Sequence, residues 1–127
     1  MKRKTYTAKE VSASGPYSHI VDAGDYLFFS GQTAMNSLGE KGESLKGKIK
    51  LQTEEVFSNL KSVMKASEIT SDQVVKVNVY LTTMDDFDAM NEVYQDFFEA
   101  PYPARTCVAV KELPLGAEVE IEMIAKK

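Results

Sequence analysis

The sequence predicts an α+β fold in which two helices cover one face of a single β-sheet. Residues 74–81 are rich in β-branched side chains and alternate apolar with polar positions, as half-buried strands do. Residues 49–66 and 86–99 carry apolar side chains at helical spacing. Because two helices cover only one face of a sheet, the other face must meet water or a second copy of the chain.

The predicted elements follow in the order strand, strand, helix, strand, helix, strand, strand: 17–21, 26–30, 49–66, 74–81, 86–99, 104–110 and 118–125. The segment 22–25 is a hairpin turn in this interpretation, and the glycine-containing, polar segment 33–47 is a mobile surface loop. Asp85 is expected to cap the second helix. Along 74–81, Val75 is expected to point to the same side as the three apolar residues at 77, 79 and 81.

Length and composition restrict the class of protein. A chain of 127 residues fits one domain spanning 1–127, and 43% hydrophobic residues suffice for a core. The net charge of −4, with no basic stripe, argues against a nucleic-acid partner. One cysteine and one histidine make a zinc site unfavourable. With no signal peptide and no apolar run long enough to span a bilayer, the expected location is the cytoplasm.

Arg105 is the first candidate for a functional side chain. Strand alternation over 104–110 places it on one face with Cys107 and Ala109, and places Thr106 and Val108 on the other. We expect the valine face to pack on the helices and the Arg105 face to lie opposite. There, a guanidinium beside small residues could hold a carboxylate through two hydrogen bonds. A solvated or salt-bridged arginine is the simpler alternative.

The last strand carries glutamates at alternate positions. Val119, Ile121 and Met123 are expected to face the core, so that Glu118, Glu120 and Glu122 share the other face, the one assigned to Arg105. Three solvated carboxylates would explain the pattern. The functional alternative is that one of them lies in a cleft between subunits and activates a water.

Five further residues are candidates with simpler alternatives. Gly31 ends a strand after Ser30 and would let a ligand approach the backbone, or merely end the strand. Tyr17 either contributes a hydroxyl to a pocket or packs. Asn91, within the second helix, is held by a specific hydrogen bond or is exposed. Cys107 is expected to be a small half-buried residue rather than a nucleophile. The positions of Tyr17, Tyr80 and Cys107 suit a face that contacts another subunit better than one fully in water.

These segments together resemble the RidA (YjgF) family over about residues 12–125. The resemblance is carried by short motifs: Gly15-Pro16-Tyr17-Ser18, Phe29-Ser30-Gly31-Gln32, Asn91-Glu92-Val93-Tyr94, Pro103-Ala104-Arg105-Thr106-Cys107-Val108, Leu113-Pro114 and Val119-Glu120-Ile121-Glu122. Two positions depart from the family pattern. His19 stands where glutamine is usual, and Thr106 where serine is usual; Thr106 is expected to face the core.

The resemblance implies a chorismate-mutase-like fold, a homotrimer with ligand clefts between subunits, and hydrolysis of 2-aminoacrylate-type enamines and 2-imino acids to 2-keto acids and ammonia. It implies no metal or organic cofactor, and a functional link to pyridoxal-phosphate-dependent serine and threonine dehydratases. By the same resemblance, Arg105 clamps the substrate carboxylate and Glu120 handles the attacking water. Further positions match the lining of the family pocket: Tyr17, Ser30, Gly31, Asn91 and Cys107. The alternative function is a trimer that binds small carboxylates such as 2-keto acids without catalysis.

Overall fold

In the part of the chain that the structure describes, six strands form one mixed β-sheet in the order β1-β2-β3-β6-β4-β5. The structure is a computed structural model that describes residues 2–37 and 41–127. The strands are β1 (Lys4–Tyr6), β2 (Ile20–Asp22), β3 (Tyr26–Gln32), β4 (Val74–Leu81), β5 (Ala104–Ala109) and β6 (Val119–Lys126). Only β4 and β5 pair in parallel; the other neighbours are antiparallel. The prediction of a single sheet is confirmed, although β1 was not predicted.

Two helices, α1 (Ile49–Ala66) and α2 (Phe87–Phe97), lie on one face of the sheet. The bounds predicted for α1 are confirmed, because its apolar stripe repeats over 18 residues. Helix α2 is shorter than predicted. Its N-terminus makes no side-chain capping hydrogen bond, so the predicted cap at Asp85 is wrong. Among the described residues, neither helix has the length and hydrophobicity needed to cross a membrane.

Aromatic side chains join the two helices. The Phe57 ring of α1 stacks on Phe97 with centroids 4.3 Å apart, and meets Tyr94 and Phe98 edge-on at 6.0 and 5.9 Å. Such pairs add stability beyond their buried area. They fix α2 beside α1 and so fix which side chains of α2 face the edge strand β5.

The register between β4 and β5 corrects the predicted orientation of Arg105. Val77 pairs with Arg105 and Val79 with Cys107, and both valines are fully buried beneath the helices. Arg105 and Cys107 therefore lie on the helix-covered face. Val108, expected in the core, is 42% exposed on the opposite face. The prediction failed because β5 is an edge strand whose apolar residues are too small and too evenly spread to mark the buried side.

Thr106 shares the uncovered face with Val108. Its Oγ1 accepts a hydrogen bond from Lys76 Nζ at 2.9 Å, so the expectation that Thr106 faces the core is also wrong. Cys107 packs against the core. The prediction that it lies on the uncovered face is therefore wrong, as it is for Arg105.

The glutamates of β6 behave largely as predicted. Glu120 pairs with Tyr80 of β4, and Glu122 with Asn78, all on the uncovered face. Glu118 departs from this pattern, because its Oε1 accepts hydrogen bonds from Gly47 N at 2.5 Å and Gln52 Nε2 at 2.7 Å. The uncovered face thus carries Glu120 and Glu122, neither of which shares a face with Arg105, whereas Glu118 contacts α1.

A β-bulge changes the predicted alternation at the start of β4. The register against β6 shifts between Val74 and Lys76, so that Val74 is buried while Val75 is 41% exposed. An extra residue at a bulge reverses the side to which neighbouring side chains point. The prediction that Val75 shares the buried side is therefore wrong, while it is confirmed for positions 77, 79 and 81.

The segment 33–37 was predicted as part of a mobile surface loop but is buried. Ser37 Oγ donates to the Glu55 carboxylate, and Asn59 Nδ2 donates to the Thr33 carbonyl at 3.2 Å. These bonds tie the segment to α1. Residues 38–40 of the predicted loop lie outside the described residues.

Candidate active site

The predicted site residues fall into two groups on opposite faces of the sheet. The first group surrounds a cavity of about 160 Å³, which we call the Glu120 cavity. It is lined by Ser14, Tyr17, Ser30, Gly31, Thr33, Asn36, Pro114 and Glu120. The second group surrounds a groove of about 360 Å³, which we call the Arg105 groove. It is lined by Asn91, Tyr94, Gln95, Tyr102, Pro103 and Arg105.

Gly31 makes room for the Glu120 carboxyl group. A Cβ placed on Gly31 would lie 2.9 Å from Glu120 Cδ, closer than nonbonded carbon atoms approach, and 3.1 Å from Oε2, so the carboxyl group would have to shift. The glycine was predicted to let a ligand approach the backbone. In the structure it is the side chain of Glu120, from the neighbouring strand, that approaches.

The Glu120 carboxylate is half-buried and lacks a hydrogen-bond partner within the described part of the chain. Burial, and to a smaller extent the negative charge of Glu122, raises the pKa of Glu120 above that of an ordinary glutamate. Glu122 has a different environment, because Tyr80 OH donates to it at 2.5 Å and Asn78 Nδ2 at 3.2 Å. Both of these bonds fall on Glu122 Oε1, whereas neither oxygen of Glu120 is hydrogen-bonded within the described residues, so both are available to a water or a substrate.

Tyr17 and Ser30 complete the wall of the Glu120 cavity. Tyr17 precedes β2 instead of opening a strand, and its hydroxyl accepts hydrogen bonds from Ser14 N at 3.2 Å and Asn36 Nδ2 at 3.0 Å. Ser30 Oγ donates to the Ser18 carbonyl at 2.6 Å, which ties β3 to the segment that carries Tyr17. Tyr17 thus borders the Glu120 cavity, while its role in binding a substrate stays a prediction.

Arg105 lies against helix α2. Its Nη1 donates to Asn91 Oδ1 at 2.7 Å, and its guanidinium carbon lies 4.6 Å from the centroid of the Tyr94 ring and 5.6 Å from that of Phe87. These cation–π contacts and the Asn91 hydrogen bond hold the guanidinium against α2. Asn91 is therefore held by a specific hydrogen bond, as one of its two interpretations proposed.

Cys107, two residues after Arg105 on β5, is half-buried. Burial raises the pKa of its thiol, although Arg105 has a smaller opposite effect. A thiol with a raised pKa stays protonated at neutral pH and is a poor nucleophile. Its packing agrees with the prediction of a small half-buried residue, and the absence of a nucleophilic role stays a prediction.

The sequence did not indicate the structural roles of two further buried residues, Asn36 and His19. Asn36 is buried and lines the Glu120 cavity, yet it lies in a polar segment without periodicity, so no pattern marked it. His19 is buried as well. Its Nδ1 accepts from Ala8 N at 3.1 Å, which shows that the histidine anchors the N-terminal segment. In the ranges 2–37 and 41–127, no three His, Cys, Asp or Glu side chains are grouped as metal ligands would be.

Comparison with known proteins assigns the chain to a family. Residues 7–127 match the family model described as Endoribonuclease L-PSP. A 2-iminobutanoate/2-iminopropanoate deaminase of Dermatophagoides farinae is 43% identical over 110 residues, 87% of this chain and 84% of that protein.

Two crystal structures show the same fold. RidA from the Antarctic bacterium Psychrobacter sp. superposes with a TM-score of 0.86 at 38% identity, covering 98% of this chain and 100% of that one. Escherichia coli TdcF with bound serine superposes with a TM-score of 0.85 at 31% identity, covering 98% of each chain. The chain therefore belongs to the RidA (YjgF) family, whose sequence model carries the description Endoribonuclease L-PSP.

Proposed function

We propose that this protein hydrolyses 2-imino acids and their enamine tautomers to 2-keto acids and ammonia. One observation carries the proposal: Glu120, a half-buried carboxylate with a raised pKa, borders a cavity and has no hydrogen-bond partner among the described residues. A carboxylate in this state suits a general base that accepts a proton from water. The similarity to a relative named 2-iminobutanoate/2-iminopropanoate deaminase supports the same activity.

The chemistry requires little from the protein. Arg105 holds the substrate carboxylate, and Glu120 accepts a proton as water adds to the imine carbon. The resulting carbinolamine loses ammonia when its nitrogen is protonated, and the C2 oxygen becomes the keto group. One water is consumed and one ammonia released, without a covalent bond to the protein. The proposal includes no metal or organic cofactor, so dialysis against EDTA should leave the rate unchanged.

A site that uses both Arg105 and Glu120 requires two chains, because the two side chains lie on opposite faces of the sheet. We propose that the Glu120 cavity of one chain is completed by the Arg105 groove of the next, in a homotrimer. The partly exposed Phe28 and Val108 on the uncovered face support an assembly, since apolar side chains there would gain from burial.

A coupled assay tests the activity. A pyridoxal-phosphate-dependent threonine or serine dehydratase, the proposed source of substrate, generates the imine, and release of 2-keto acid is followed. We expect wild type to accelerate release and Arg105→Ala to lose the effect. Arg3→Ala is the matched control, because Arg3 is exposed at the N-terminus. No acceleration by folded wild type, across several amino-acid precursors, would reject the proposal.

A second candidate is a non-catalytic trimer that binds small carboxylates. The crystal structure of TdcF with bound serine favours it, because serine is a stable amino acid. Arg105 would serve equally well, whereas Glu120 would be dispensable. Measurements of 2-oxobutanoate binding and of turnover on Glu120→Ala distinguish the two candidates. If the protein is a deaminase, the variant should still bind 2-oxobutanoate but lose turnover. If the protein only binds, wild type itself should show no turnover.

Other roles have less support. A ribonuclease, which the description of the family model names, is disfavoured by the net charge of −4 and the lack of a basic stripe. The cytoplasmic location stays a prediction from the sequence.

A further inference from the structure

The Tyr17 hydroxyl is surrounded by hydrogen-bond donors. The Ser14 backbone N–H donates to it at 3.2 Å and Asn36 Nδ2 donates at 3.0 Å. Neither group can accept a hydrogen bond in return. The phenolic proton must therefore point either to Ser14 Oγ, which is 3.3 Å away and exposed, or into the Glu120 cavity.

The orientation of the Asn36 amide is fixed by backbone groups. Its Oδ1 accepts from Thr33 N at 3.0 Å, and its Nδ2 donates to the Ser12 carbonyl at 3.2 Å. A backbone N–H only donates and a carbonyl only accepts, so a flipped amide would lose both bonds. Nδ2, and not Oδ1, must therefore face Tyr17.

Asn36 is itself held rigidly. It is 3% exposed and ends the 3₁₀ turn Ala34–Asn36, which Thr33 caps through its side chain. Asn59 of α1 supports the turn from behind, with Nδ2 bonded to the Thr33 carbonyl at 3.2 Å. The buried network thus joins α1 to the Tyr17 hydroxyl through Thr33 and Asn36.

We infer that Asn36 is a positioning residue, which together with the Ser14 N–H saturates the acceptor side of the Tyr17 hydroxyl and so leaves Tyr17 as a hydrogen-bond donor that can direct its proton into the Glu120 cavity. In the proposed reaction, such a donor would hold the attacking water or protonate the departing nitrogen. The inference deepens the proposed function and rests on it for its kinetic consequence. The hydrogen-bond arrangement itself does not depend on any activity.

The kinetic test is a double-mutant cycle in the coupled assay. We expect Asn36→Ala to lower kcat about tenfold with a small change in KM, as the loss of one well-placed hydrogen bond does. In a Tyr17→Phe background the same substitution should cost less than about twofold, because Asn36 acts through the hydroxyl. Equal losses in both backgrounds would overturn the inference.

Asn59→Ala is the matched control. It removes a buried asparagine from the same network, but one that does not contact Tyr17. We expect it to lower the unfolding temperature as Asn36→Ala does, while kcat stays within about twofold of wild type. A comparable fall in kcat for Asn59→Ala would show that general loosening of the network explains the effect.

A spectroscopic test does not require activity or a folded Asn36 variant. In nuclear magnetic resonance spectra, the side-chain amide protons of Asn36 are compared between wild type and Tyr17→Phe, a change at a residue 37% exposed. We expect one Asn36 amide proton to move upfield on loss of the hydroxyl acceptor. No change would overturn the inference even if the protein proves to be a deaminase, and a clear change would support it even if the protein only binds.

Discussion

Arg105 and Glu120 project from opposite faces of one sheet, although their strands both pair with β4. Arg105 is level with the buried Val77, and Glu120 is level with Tyr80 on the uncovered face. Strands place successive side chains on alternate faces, so no local adjustment brings these two groups together within a chain. This geometry makes their proposed cooperation a question about assembly.

Complementation between two inactive variants should reveal a shared site. Arg105→Ala and Glu120→Ala are each expected to be inactive in the coupled assay. When equal amounts are unfolded and refolded together, roughly a quarter of the interfaces in a cyclic oligomer should combine an intact Arg105 with an intact Glu120. Activity should return to about that fraction of wild type. Mixed assemblies without activity would mean that both residues act within one chain or that one of them is structural.

Glu120→Gln is expected to lower kcat/KM by at least about 100-fold, as removal of a general base does. Because the pKa of Glu120 is raised, the acid limb of the wild-type profile should lie at a higher pH than for an exposed glutamate. Glu122→Gln removes the nearby charge and should move that limb to lower pH. A profile that Glu122→Gln leaves unchanged would argue that Glu120 is not the titrating group.

Glu120→Gln, which should lower activity, is not expected to lower the stability of the fold. A carboxyl group with a raised folded-state pKa binds its proton more tightly in the folded state, so its ionisation destabilises the protein as pH rises through that pKa. Glu120→Gln should therefore unfold at the same or a higher temperature than wild type at pH 7, and the difference should vanish in acid. Thermal unfolding at matched protein concentrations measures this. A lower unfolding temperature at pH 7 would mean that Glu120 stabilises the fold.

Gly31→Ala should damage activity through Glu120. The added methyl group would displace the carboxyl group, which lies 2.9 Å from the position of the new Cβ, and we expect kcat/KM to fall about tenfold or more. Gly15→Ala is the control, because its new Cβ would meet Tyr17 at an ordinary 3.7 Å. Circular dichroism should show both variants folded. Equal activity in the two variants would exclude the proposed contact as important.

Asp22 should contribute to acid stability. The Lys127 side chain, bonded to Oδ2 at 2.7 Å, together with the Gly24 N–H, lowers the pKa of Asp22 to about 2. A lowered pKa stabilises the folded state above the unfolded-state pKa and ceases to do so as pH falls from about 4 through 2. Asp22→Asn should thus be less stable than wild type at pH 7 in urea titrations, with the difference shrinking below about pH 3. A constant difference would point to packing, not charge.

Long regular patterns allowed the elements to be predicted. The stripe of α1 specifies a helix over residues 49–66, and the alternation of β6 specifies that Glu120 faces away from the core. The bulge at Val75 and the buried segment 33–37 could not be predicted in the same way. Both depend on partners far along the chain, which local periodicity does not record.

The sequence by itself determined the helices, most of the strands, the family and the identity of the candidate residues, because periodicity and short motifs are local properties of the chain. Only the tertiary structure decided the face on which Arg105 lies. On the edge strand β5 the small apolar residues favour neither side, and the rings of Phe87 and Tyr94 on α2 provide the surface on which the guanidinium stacks. That contact joins segments distant in sequence, so the position of α2 on the sheet, and not the pattern of β5, places Arg105 opposite Glu120.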